Sequence, residues 1–263
     1  MSSKNITFFF LIVLSTALTA QTENKGNRTV RILTFNIYHG ATMKGDFDLD
    51  LLANVIKKTN PDLVAMQEVD FKTNRAKGYD LPTELGWRTK MAPLFGRAMP
   101  YSGGEYGEAI LSKWSFISSR NIALPCLPGK EPRAALMITT VTGFGDTISF
   151  VATHLDHEGS ESRIMQVNKI NEELSKSRYP TILAGDLNDI PGSETINLFE
   201  EHWTPTYNKE NPAFTFPSTT PDRKIDYVMY SPKERWRVIE TEVICDSVAT
   251  DHCVYLVELK LLP

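Results

Sequence analysis

The 263-residue chain is 41% hydrophobic and 23% charged, values that exclude a disordered or fibrous protein and suit one that folds around a core. Its formal charge of −4 comes without a dense basic run; the nearest approach, residues 233–237, is interrupted by Glu234. Duplex-binding proteins gain affinity from clustered Lys and Arg, so nucleic acid is disfavoured as the main substrate, though a basic patch assembled from distant residues stays open.

Lys4 precedes an unbroken apolar run at residues 8–14, and small and polar residues follow at 15–20. That order is the pattern of a signal peptide cleaved after about Ala20, so the chain is expected to be exported to the periplasm or beyond the cell. The run is far shorter than the ~20 residues a membrane span needs, so no stable span is expected. Residues 21–28 then form a short exposed segment. Residues 29–263 contain no repeat, low-complexity tract or linker and are expected to form a single domain.

The alternation in residues 29–38 predicts a strand. Leu51, Leu52, Val55 and Ile56 give residues 48–59 a helical spacing, opened by acidic residues and stopped by Asn60-Pro61. Residues 63–67 read as a buried strand, and residues 71–107 as a long loop rich in Gly and Pro. Strand structure resumes at 108–112, and segments 134–141 and 147–153 read as a pair. Residues 162–177 carry Ile164, Val167, Ile170 and Leu174 on one helical face. A strand at 181–185 enters Asp186, Ser193 is placed to cap a short helix, and segments 225–230 and 253–259 are the last strands.

Polar residues recur where these apolar strands end: Asn36, Glu68, His154 and Asp186. A sheet holds such positions rigidly, so several side chains can converge on one point. Glu68 closes an apolar strand where an unpaired charge is costly; it is either a ligand for a hard cation or a salt-bridged structural residue. In Gly185-Asp186-Leu187-Asn188, an extended backbone points both polar side chains the same way, whereas an Asx turn is the plainer alternative. His154 is either a site residue or a satisfied core histidine. Asp226 either orients a histidine or pairs with Arg223, and Asp251-His252 suits an imidazole held by a carboxylate.

Three cysteines, Cys126, Cys245 and Cys253, allow at most one disulfide and match no zinc spacing. Beside Asp251-His252, Cys253 is either a reactive thiol or, the favoured reading, a small buried residue of the last strand.

The segments LTFNIYHG, VAMQEVD, YGEAILSK, THLDH, LAGDLN, KIDYVMY and TDHCVYL occur in this order from Leu33 to Leu256. As a set they resemble the endonuclease/exonuclease/phosphatase superfamily of metal-dependent phosphoesterases. The resemblance implies an α/β fold, a four-layer α/β/β/α sandwich with two packed mixed β-sheets. It implies Mg²⁺, with Mn²⁺ as an alternative, bound by Asn36, Glu68 and Asp251, with Glu68 the direct ligand. His154 is implied to contact the scissile phosphate or assist the leaving group, Asp186 to activate water, and Asn188 and His252 to hold phosphate. Asp226 and Asp251 complete the set, one aspartate orienting a histidine. Tyr106, Arg133 and Arg75 are further substrate candidates. Against these stand a half-buried loop tyrosine, an arginine paired with Glu131 and, favoured for residues 72–75, an exposed solvated loop.

Within the phosphoester hydrolysis that the resemblance implies, acidic balance and export favour a small-molecule or lipid-headgroup substrate, and a monomer is expected. A secreted nuclease is the alternative within this chemistry, and a catalytically silent relative that binds a ligand or protein is the alternative outside it.

Overall fold

The computed structural model describes residues 28–174 and 177–263. The expected signal peptide, the segment through residue 27 and two residues at the end of the expected 162–177 helix lie outside the described residues. The chain begins with Thr29–Asn36 (β1), Leu49–Thr59 (α1), Leu63–Phe71 (β2), Leu81–Thr89 (α2), Ala92–Tyr101 (β3) and Gly104–Ser112 (β4). Phe116–Ala123 (β5), Ala134–Val141 (β6), Thr147–His154 (β7), Ser160–Leu174 (α3), Thr181–Asp186 (β8) and Glu194–Glu200 (α4) follow. Thr204–Pro205 (β9), Asp226–Ser231 (β10), Trp236–Ile244 (β11) and Val254–Leu261 (β12) complete it.

These strands form two six-stranded sheets, ordered β11-β12-β1-β2-β4-β3 and β5-β6-β7-β8-β10-β9. Both are mixed: β1 runs parallel to β2 and β7 parallel to β8, while the other pairings are antiparallel. Side-chain alternation then sets the layers. Val30 and Ile32 face the space between the sheets, where Leu63, Ala65 and Ile110 meet Leu136, Ile138, Phe150, Ile182 and Val228. Leu33, Phe35, Val64 and Met66 face the other way, onto Leu52 and Ile56 of α1 and Leu81 and Leu85 of α2. On the far side Val151, Leu183 and Met229 pack against Val167 and Ile170 of α3 and Ile196 and Phe199 of α4. The result is the four-layer α/β/β/α sandwich that the resemblance implies.

Local signals place the helix ends. The Asp48 side chain accepts from Leu51 N at 2.9 Å, and Asn60 closes α1 in a left-handed conformation. Ser193 caps α4 through Ile196 N. The expected loop over residues 71–107 is corrected: it holds α2, capped by Asp80, and the hairpin β3–β4. Pro82 stands in the first turn of α2, where its missing N–H costs nothing, so it starts a helix instead of breaking one. Among the described residues no helix is long and apolar enough to cross a membrane.

Candidate active site

Strand register delivers three polar residues side by side. His154 of β7 is paired with Asp186 of β8, and Asp186 with Asp226 of β10. Across the sandwich, β1 ends at Asn36 and β2 supplies Glu68, with β12 introduced by Asp251 and His252. Their side chains converge on one atom. Asp186 Oδ2 lies 3.4 Å from Asn36 Nδ2, 3.5 Å from His154 Nε2 and 3.6 Å from His252 Nε2.

Glu68 does not end its strand as expected; β2 continues to Phe71. It sits instead in a β-bulge between Met66 and Val69, with a left-handed φ of 56°. Such a conformation costs a non-glycine residue about 1–3 kcal/mol, and here it turns a carboxylate out of a buried strand toward the cleft. Asn36 Nδ2 donates to Glu68 Oε1 at 3.2 Å, and His39 Nδ1 lies 3.7 Å from Oε2. Burial would raise the Glu68 carboxyl, but the His39 imidazole beside it, the hydrogen bond from Asn36 and the charge of His252 hold it below its ordinary value. The oxygen of Asn36 accepts from Tyr38 N, and its amide nitrogen faces Glu68.

His252 Nδ1 sits 3.0 and 3.2 Å from the two oxygens of Asp226. Asp226 therefore orients the histidine, while Arg223 turns to Asp222. Burial would lower the imidazole, but the charge and hydrogen bond of Asp226 outweigh it, with help from Asp186 and Asp251, and raise His252 to about 10. Asp186 is pushed up to about 7, chiefly by burial, with His252 opposing and Asp226 adding. A group raised in the folded state adds stability that is full below its unfolded value and lost as pH climbs through its folded one. For His252 that window runs from 6.5 to about 10. In metal-free protein, Asp226→Asn is expected to lower the melting temperature most near the bottom of that window and least near its top. A gap that stays constant across thermal scans over this range would refute the assignment.

His154 differs in kind. Arg133 Nη1 lies 2.9 Å from its Nδ1, and a guanidinium only donates, so Nδ1 accepts and the ring proton sits on Nε2. Burial first and the Arg133 charge second push His154 well below its ordinary value, so it stays neutral. Arg133 is itself buried, and its Nη2 reaches Nδ1 of His157 at 3.2 Å and its Nη1 lies 3.4 Å from Glu131. Glu108 is fully buried near it, its oxygens without a hydrogen-bond partner among the described residues. Burial holds that carboxyl well above its ordinary value, so it stays protonated and leaves the Arg133 charge to the cleft.

Asn188 departs from the extended geometry expected of it. Its φ is 52°, its N–H donates to Asp186 Oδ1 at 2.9 Å, and its side-chain amide donates to Leu155 O. The Asx turn is thus present, and both residues still line the cleft.

That cleft, about 590 Å³, is lined by Glu68, Arg75, Tyr106, Arg133, His154, Asp186, Asn188, Asp251 and His252. Asn36 and Asp226 stand behind it, bonded to residues that line it. Arg75 is not on a freely solvated loop: it is clamped to buried Asp70. Sequence reasoning missed His39, Glu108, His157 and Phe216, and named Glu131 only as the alternative partner of Arg133, which it does meet. Only His157 had a signal, as the second histidine of THLDH.

Asp186, Asp226 and His252 offer ligand atoms within 4.8 Å of one another. With Asp226 holding His252 as an imidazolium, no ring lone pair remains for a metal. Glu68, Asp186 and Asp251 are carboxylates of the cleft wall whose oxygens fit a hard cation. Asp251 is also raised, by burial first, with the Glu68 charge adding to it. Asp186 and Asp251, held above their ordinary values around one opening that Glu68 also lines, suit a cation that relieves them.

Cys245 begins the loop after β11 and is joined to Cys253, which precedes β12, by a disulfide; Cys126 is free and exposed. The bridge closes the loop that carries Asp251 and His252, and Thr250 Oγ1 ties it to Asn36 O at 2.8 Å. Cys253 is therefore buried, as favoured, but as half of a cystine.

Residues 33–252 match the model of the Endonuclease/Exonuclease/phosphatase family. Among solved structures the chain is similar to an endonuclease/exonuclease/phosphatase from Beutenbergia cavernae DSM 12333, at 26% identity and a TM-score of 0.74, covering 89% of this chain and 72% of that one. It is also similar to the human Nocturnin catalytic domain with bound sulfate, at 20% identity and 0.72, covering 89% and 94%. A mannosyl-6-phosphatase of Bacteroides thetaiotaomicron VPI-5482 matches at 16% identity and 0.69, covering 88% and 99%. The last two likenesses speak to fold. Among curated proteins no sequence matches.

Proposed function

From the premise that the chain belongs to the endonuclease/exonuclease/phosphatase family, a family of phosphoester hydrolases that are generally divalent-metal dependent, we propose an exported Mg²⁺-dependent enzyme for small or lipid-linked phosphoesters. The observation that carries this reading is the convergence of Asn36, His154 and His252 on Asp186 Oδ2 beside Glu68. Donors aimed at one carboxylate oxygen are equally placed to receive the oxygens of a phosphoryl group next to it.

Glu68 and Asp251 would hold the cation, with Asn36 steadying Glu68. When bound, it supplies charge neutralisation at the phosphoryl group and the leaving oxygen. Asp186, pushed up to about 7, is matched to taking a proton from water near neutral pH. His252 binds a phosphoryl oxygen as an imidazolium, and its charge is secured by Asp226. His154 donates from Nε2, and Arg133, which also meets Glu131, adds a guanidinium at the same wall. Asn188 fixes Asp186 through its backbone N–H and keeps one amide N–H for phosphate. The signal-peptide order at the N-terminus and the disulfide both support export, since disulfides persist in oxidising compartments.

The test is turnover by protein starting near Gln21 on bis-p-nitrophenyl phosphate, p-nitrophenyl phosphate, sphingomyelin and plasmid DNA. A small or lipid phosphoester is expected to be hydrolysed with Mg²⁺ or Mn²⁺ and not in EDTA. Preference for plasmid DNA, with activity falling steeply as salt is added, would instead identify a nuclease. Absence of turnover together with absence of Mg²⁺ binding by calorimetry would identify the silent relative.

A further inference from the structure

We propose that Arg75, flanked by Tyr101 and Tyr106, is a subsite for a second anionic group, so that the preferred substrate is an organic phosphoester bearing a further phosphate or carboxylate. The inference rests on the hydrolase reading for the group that is cleaved, and it concerns a different part of the cleft.

Asp70 lies two residues beyond the Glu68 bulge with its side chain wholly buried. Thr73 Oγ1 donates to it, and Arg75 grips it with Nε at 2.7 Å and Nη2 at 2.8 Å. A guanidinium carries five N–H groups in a rigid fork. Two are spent on Asp70. Three remain, on a side chain that lines the cleft and stays about a third exposed. The guanidinium carbon also stacks 4.5 Å from the ring centre of Tyr101 and lies 5.5 Å from that of Tyr106. The side-chain entropy of a long arginine is thus already lost before any ligand arrives, which is the condition for a hydrogen-bonding group to discriminate between ligands.

The placement gives the chemistry. Tyr106 stands between Arg75 and Arg133, within reach of the charge of both. One wall of the cleft therefore passes from His154 to Arg133, Tyr106, Arg75 and Tyr101. Arginine and imidazole N–H groups line it beside the Glu131 carboxylate that Arg133 meets, and the phenol of Tyr106, raised well above its ordinary value by burial, is kept as an O–H group. Because Asp70 offsets the charge of Arg75, the subsite works through directed N–H bonds. Arg223, which also lines the cleft, pairs only with exposed Asp222 and lies over Phe216, and it is half exposed, so no buried carboxylate fixes it as Asp70 fixes Arg75. A purely bracing arginine would need only the two bonds to Asp70 and would not distinguish one ligand from another.

The experiment compares kcat/KM for α,ω-alkanediol bisphosphates of three to six carbons with alkyl monophosphates of equal length. The best bisphosphate is expected to exceed its monophosphate by about tenfold or more, and Arg75→Met to collapse that ratio. Since Arg75→Met strands Asp70, Asp70→Asn/Arg75→Met serves as the second variant, with melting temperature as the folding control. A wild-type ratio no greater than the statistical factor of about two at every length, or a ratio unchanged in either folded variant, overturns the proposal. If neither ester is hydrolysed, the hydrolase reading has failed separately. Calorimetry with the matching non-hydrolysable bisphosphonates and monophosphonates then decides: tenfold tighter bisphosphonate binding, lost in the variants, supports the subsite, and equal binding overturns it.

Discussion

Asp186→Asn is expected to lower kcat by about 10²- to 10⁴-fold, the usual worth of a positioned general base, while the melting temperature stays the same or rises. The two effects have opposite signs for one physical reason. Asp186 is wholly buried, and burial together with nearby carboxylates lifts it from 3.8 to about 7. An acid raised in the folded state contributes stability below its unfolded value and loses it as pH climbs from about 4 to about 7, so at neutral pH the charged form is a burden on the fold. An amide has the same shape and carries no charge to desolvate, and turned so that its oxygen faces Asn36 Nδ2, His154 Nε2 and His252 Nε2 it gives up only the acceptor of Asn188 N–H. Steady-state kinetics and thermal scans on the same preparation check both halves. A variant that turns over within tenfold of wild type removes Asp186 from the role of base. One that loses activity only because it unfolds removes the argument that the residue is costly to the fold.

Glu68→Gln should abolish the stabilisation that Mg²⁺ confers and weaken metal binding by at least about 100-fold. Outer residues that merely orient a ligand typically cost 10- to 100-fold, so the direct ligand sets a lower bound at the top of that range. At Mg²⁺ about 100-fold above Kd, binding stabilises a protein by about 2.7 kcal/mol, which a thermal scan resolves easily. The wild-type melting temperature is expected to rise with Mg²⁺ and that of the variant to stay flat. Glutamine keeps the hydrogen bond from Asn36 possible and leaves the left-handed backbone of the bulge untouched, so the comparison isolates the charge. A variant whose melting temperature still climbs with Mg²⁺ would place the cation elsewhere.

The central strands of both sheets were legible because they are buried on both faces. β1, β2, β7, β8 and β10 carry apolar runs that no loop would carry. The strands that escaped sequence reading are the sheet edges: β3, β5, β9 and β11. Edges face water, so β5 and β11 show exposed residues along most of their length, and β3 tolerates Pro93 and Pro100 where a central strand could not. The site divides in the same way. Polar residues after apolar runs stood out, and Asn36, His154 and Asp186 are indeed delivered at strand ends. Partnerships did not stand out. Nothing in Asp251-His252 says that the carboxylate on the imidazole comes from Asp226, because that pairing reaches across the sandwich, from β10 of one sheet to the loop before β12 of the other. A bulge is invisible in composition, so Glu68 looked like a strand end. Glu108 read as ordinary strand, since only three-dimensional burial marks a carboxyl as one that stays protonated.

The cystine between Cys245 and Cys253 bears on how the molecule comes apart locally. β11 is an edge, paired on one side only, and edges are the first elements of a sheet to fray. Without the bridge, opening from the end of β11 near Ile244 would run directly into the loop that holds His252. The bridge makes that end a covalent corner, so unzipping of β11 must begin at Trp236, the far end of the strand. The same link removes about 2–3 kcal/mol of loop freedom from the unfolded chain. The imidazole therefore rides on a small closed ring whose breathing is separated from that of the most weakly held strand beside it.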